Sequence, residues 1–70
     1  MTILQCKRVS RFGIPFTLVL TEGQVNDVAV YELRGHHTAE ETARHGHEWS
    51  RRDFQTSALF DLPPGKHYRI

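Results

Sequence analysis

The sequence predicts an α+β domain: a small antiparallel sheet with one helix packed on one face, in the order βββαβ. Three observations carry this reading. Three apolar or β-branched runs in the first half alternate with period two and are separated by short turn segments. A capping-box spacing then opens a segment of helical periodicity. Finally, Pro63-Pro64-Gly65 breaks the chain before a last alternating run.

Ile3 to Ser10 is the first expected strand, with Leu4 and Cys6 on one face and Gln5 and Lys7 on the other. Arg11-Phe12-Gly13 is a turn, because Gly13 tolerates positive φ. Pro15 lacks a backbone donor and suits the start of a strand. Phe16 to Glu22 is the strongest strand signal: Phe16, Leu18 and Leu20 face one way, and Thr17, Val19 and Thr21 the other. Gly23 to Asp27 supplies turn residues, and Val28 to Leu33 is the third strand. Short connections between these strands favour an antiparallel meander.

Thr38-Ala39-Glu40-Glu41 places an N-cap threonine three residues before a glutamate, so a helix is expected from Ala39 to Asp53. Ala39, Ala43, Gly46 and Ser50 form a small-residue stripe along it, with Trp49 as anchor against the sheet. Glu40–Arg44 and Glu48–Arg52 are favourable i,i+4 pairs on the solvated side. Gly46 costs about 1 kcal/mol against alanine in mid-helix, which implies a close backbone approach there. Ser57 to Leu62 reads either as a loop with apolar anchors or as a short strand, and Lys66 to Ile70 as the closing strand.

Seventy residues form a single domain spanning 1–70. A chain this short buries only about 60% of the surface its unfolded form exposes, so it gains from added contacts. One cysteine, Cys6, excludes an intrachain disulfide and fits a reducing compartment. No apolar run reaches the ~20 residues of a spanning helix, and no signal-peptide pattern opens the chain. The expectation is a soluble cytoplasmic protein without membrane contact. With one helix for two partly apolar sheet faces, Thr17, Val19, Thr21 and Tyr31 are expected at an interface. The occupant of that interface is a second copy in a homodimer, or a protein partner. The alternative cover is the segment Phe54 to Leu62.

Catalytic and metal chemistry find no footing in these residues. Five histidines stand out, but His45 and His47 are two apart on the expected helix and diverge by roughly 200°. His47-Glu48-Trp49-Ser50-Arg51 begins like a zinc-protease motif, yet Arg51 occupies the place of its second histidine. Cys6 lacks a base at any recognisable spacing, and Gly65-Lys66 lacks the rest of a phosphate loop. No cofactor and no catalytic residue are therefore expected. Lys7, Arg8, Arg11, Arg51, Arg52 and Arg69 are candidate contacts to phosphate or to an acidic partner. They merge into one basic stripe if the first and last strands are neighbours. The net charge of +1 argues against a strong overall field.

The run Val28-Ala29-Val30-Tyr31, followed by a capped helix and then by Leu62-Pro63-Pro64-Gly65 before a closing strand, resembles in layout the small phage-encoded inhibitors of host enzymes. RNA-polymerase inhibitors and anti-CRISPR proteins are the examples. The likeness covers about forty residues. The βββαβ order also resembles the partial RNase-H-like fold of HicB-type antitoxins, without their glycine-rich strand pattern. Neither likeness transfers a functional residue. What the first implies is a non-enzymatic protein-binding domain, an inhibitor of a host protein machine. The alternatives are a small nucleic-acid-binding module and, behind it, a toxin-like ribonuclease.

Overall fold

The computed structural model describes residues 1–69. The strands expected in the first half form where the alternation places them, each extended by a residue or two: β1 Thr2–Arg11, β2 Ile14–Glu22 and β3 Asp27–Arg34. They pair as an antiparallel meander, with Cys6 opposite Val19 and Val19 opposite Tyr31. Cross-strand partners share a face, so this register sorts the side chains into two sets. Leu18, Leu20, Val28 and Val30 lie on one side of the sheet. Thr17, Val19, Thr21, Ala29 and Tyr31 lie on the other.

The second half departs from expectation. The single helix from Ala39 to Asp53 is instead two helices, α1 Ala39–His45 and α2 Arg51–Ser57, separated by a two-residue strand, β4 His47–Glu48. Two capping boxes explain the break. Thr38 and Glu41 close the first reciprocally, and Ser50 and Asp53 close the second. Between them Gly46 is extended, at φ −72° and ψ 163°, and its N–H donates to the Thr42 carbonyl. A Cβ at Gly46 would stand 2.4 Å from the Thr42 oxygen and 2.9 Å from the Glu32 oxygen. Close backbone approach is thus the reason for the glycine, at a helix end and not within a helix.

Beyond Gly46, β4 pairs antiparallel with β3, Glu48 opposite Tyr31 and His47 opposite Glu32. The closing strand is β5 His67–Tyr68, parallel to β3 at Asp27 and Val28; Ile70 lies outside the described residues. Ser57 to Leu62 resolves as the end of α2 and an irregular segment. The element order is βββαβαβ, with sheet order β1-β2-β3-β4 and β5 beside β3. Tyr68 fills the gap between the two short strands. Its hydroxyl accepts from the Val30 N–H at 3.1 Å and donates to the Trp49 carbonyl at 2.8 Å. The outer edge of β3 is thereby covered along most of its length.

Both faces of β2 and β3 are covered. The apolar side of β2 and β3 packs against Trp49, Phe60 and Tyr68, flanked by Val9, Phe54 and Leu59. Phe54 stacks on Tyr68 at 4.7 Å between ring centroids and ties α2 to this layer. The threonine-bearing side lies under α1, whose Thr42 and Ala43 are buried. Three buried threonine hydroxyls are all bonded: Thr17 to the Gly35 carbonyl, Thr21 to Ala29 and Thr42 to Thr38. The expected packing on one face is therefore corrected. A broken helix serves both faces where an unbroken one would serve one, with Ala43 and Trp49 on opposite sides of the sheet. Among the described residues no helix is long and apolar enough to cross a membrane.

Candidate protein-binding surface

This layering decides where the expected site residues fall. Thr17, Val19 and Thr21 are fully buried beneath α1, and none is available to a partner. Tyr31 is half-buried, with its hydroxyl accepting from Arg69 at 3.2 Å. The open face behind the homodimer expectation does not exist.

The basic residues divide into two groups. Lys7 donates to the Leu59 carbonyl, with its ammonium 5.1 Å from the Phe60 ring centroid, and so clamps the C-terminal segment onto β1. Arg11 pairs with Glu32 at 2.9 Å and lies over Phe16 and Trp49. The same Glu32 oxygen accepts the Trp49 indole N–H at 3.0 Å. Arg69 reaches Asp27, Glu48 and Tyr31, and these contacts hold its guanidinium above the usual arginine pKa despite some loss of solvation. These three cations hold the fold together. Arg8, Arg51 and Arg52 are exposed and make no ion pair among the described residues.

They do not form one stripe. β5 sits beside β3, whereas β1 is at the opposite end of the sheet, so Arg69 and Arg8 are separated by the meander. Arg51 and Arg52 begin α2, whose Phe54 packs on the Trp49 side, whereas Arg8 shares its face with Thr17. The histidines are likewise dispersed. His36, His45, His47 and His67 are exposed, and His37 bonds the Arg34 carbonyl at 2.8 Å. Among the described residues no three His, Cys, Asp or Glu side chains gather at one point. A shallow open groove of about 280 Å³ lies between α1 and the start of β1, lined by Met1, Ile3, Glu40, Ala43 and Arg44.

One surface stands apart. The β1–β2 hairpin turns through Phe12 and Gly13, between the paired Arg11 and Ile14. Both turn residues have positive φ, 52° and 77°, as the right-handed twist of a two-residue hairpin demands. Asparagine or aspartate is the usual occupant of the first position. A bulky side chain there is strained. Phe12 is nevertheless fully exposed, at 103% of its reference area, with Arg11 beside it in the chain and Arg8 three cross-strand pairs back from Arg11. The sequence shows the turn but not this: exposure of an aromatic ring becomes visible only once the other six aromatics have found places in or against the core.

From this tip runs β1, the open edge of the sheet. A bulge at Leu4 interrupts it, after which Gln5 to Arg11 pairs with β2 without a break. Cys6 is exposed on this strand. No protein-family model matches the chain, and no curated protein or solved structure matches it either.

Proposed function

We propose that the chain is a non-enzymatic protein-binding domain that docks through its β1–β2 hairpin. The observation that carries this reading is Phe12. A fully exposed aromatic ring at a strained turn position contributes nothing to the core. Aromatic and arginine side chains are the residues that most often anchor protein interfaces, and the exposed Arg8 lies on the same hairpin. The layout likeness to phage-encoded inhibitors points the same way, toward a small domain that blocks a larger host machine by occupying its surface. A nucleic-acid module draws less support, because Lys7, Arg11 and Arg69 are held in internal contacts and the remaining cations lie on different sides.

The experiment is affinity capture from bacterial lysate with tagged wild-type protein and with Phe12→Asn, which keeps the turn. A discrete protein retained by wild type and depleted at least tenfold by Phe12→Asn is the expected result. Equal capture by both proteins defeats the hairpin reading. Recovery of nucleic acid alone, released by moderate salt, replaces it with the nucleic-acid module.

A further inference from the structure

The open edge of the sheet is more specific than a general contact surface. We infer that the Gln5–Arg11 edge of β1 accepts an extended acidic segment of a partner as an added strand, its acidic side chains facing Arg8. The inference rests on the protein-binding reading and names the chemistry of the partner.

Four observations support it. The other side of the sheet ends in β4 and β5, two residues each and too short to template a strand, which with the Tyr68 hydroxyl occupy the outer edge of β3. β1 has a strand on one side only, and seven residues beyond the Leu4 bulge are regular enough to template another. The usual guard of such an edge is a lysine standing out from it, but Lys7 is drawn inward to the Leu59 carbonyl. Finally, no Asp or Glu occurs before Glu22, while Lys7, Arg8 and Arg11 all lie on β1.

The two faces of β1 differ, and this sets the pattern of the incoming strand. Lys7, Val9 and Arg11 share the side on which Leu59 and Phe60 lie, and Val9 and Leu59 are half-buried there. An added strand on this side extends an existing apolar layer with β-branched residues. Cys6, Arg8 and Ser10 share the other side and are exposed, and among the described residues the Arg8 guanidinium reaches only the His37 carbonyl. Carboxylates belong there. A second copy of this chain is disfavoured as the occupant, because antiparallel pairing of two β1 strands centred on this stretch opposes like charges, Arg8 to Arg8 or Lys7 to Lys7 or Arg11 according to register.

The test uses an acetylated and amidated heptapeptide, Glu-Val-Glu-Val-Glu-Val-Glu, added up to ~1 mM to isotope-labelled full-length protein. Successive residues of a strand present their N–H groups to opposite edges. Two further peptides therefore carry N-methyl groups on the odd or on the even residues. The expected result is new protection of alternate amides within Gln5–Arg11, at least tenfold weaker binding for one methylated peptide and unchanged binding for the other. Arg8→Glu should weaken the parent peptide at least tenfold, and a Lys-Val heptapeptide should not bind. Equal behaviour of the two methylated peptides, equal binding of the Lys-Val peptide or protection elsewhere overturns strand addition. So does protection of β1 by a second copy on concentration, or by oligo-dT. If these failures occur while capture stays sensitive to Phe12→Asn, strand addition alone falls and the binding reading stands.

Discussion

At the scale of single residues, Tyr68 and Phe12 behave in opposite ways. The Tyr68 hydroxyl satisfies a backbone N–H and a backbone carbonyl that no ladder reaches. Removing it leaves both unpaired in a buried place. Tyr68→Phe should cost about 1–3 kcal/mol, measured by urea unfolding. Burial, as the largest influence, raises the Tyr68 pKa above 10.0. The folded state therefore holds this proton more tightly than the unfolded chain. Its contribution is intact below pH 10 and is lost as pH climbs through the raised value, so Tyr68→Phe should remove part of the alkaline destabilisation. Phe12 takes part in no such network. Phe12→Asn should raise stability by about 0.5–1 kcal/mol, because asparagine enters the left-handed region more easily. A loss of stability in the same unfolding assay would show that the ring supports the fold. Alternation in the sequence revealed that Tyr68 sits opposite Arg69 on its strand, but a hydroxyl bridging two strand ends depends on which strands meet.

At the scale of elements, the informative case is the segment from Thr38 to Ser57. The first capping box and the close approach at Gly46 were legible as residue types and spacings. The second box, Ser50 to Asp53, was obscured by the favourable charge spacings Glu40–Arg44 and Glu48–Arg52, which suggest one continuous helix. In the structure the pair Glu48–Arg52 spans β4 and α2, so the helical spacing there has no helix beneath it. Gly46→Ala should destabilise by about 1–3 kcal/mol, since the obstructing atoms are backbone oxygens that cannot swing aside. An unchanged unfolding midpoint would refute this account of the break. The backbone N–H groups of Thr38 and Ser50 hold the Glu41 and Asp53 carboxyls below their usual 4.5 and 3.8. Depressed pKa values mean stability present above those values and lost as pH falls through the lowered ones. Glu41→Gln with Asp53→Asn should flatten the acid limb of a stability–pH profile, and an acid limb identical to wild type would show that the boxes do not report on folding.

At the scale of the whole molecule, the meander and its two faces followed from alternation in the first 34 residues, and the α+β class from that and the capping box at Thr38. The way the layers close did not. Whether the threonine-bearing face was open depended on where one helix ended, and a break at Gly46 converted an expected interface into interior. Sedimentation equilibrium over a tenfold concentration range should therefore give the mass of one chain. A dimer mass throughout would mean that a surface other than the threonine-bearing face supports association. The basic stripe failed for a related reason, since strand order is set by long-range pairing and the last strand chose β3 over β1.

The parallel pairing of β5 also imposes an order on biosynthesis. His67 follows its partner Asp27 by forty positions. At about 5–20 residues per second, the emerging meander waits roughly 2–8 s for that strand. During this interval the Val28–Val30 side has neither Tyr68 nor Phe60 over it. Both margins of the sheet are then unguarded. A ribosome stalled short of the tyrosine should hold a chain that proteases cut readily, and the addition of β5 should be the step that renders it resistant.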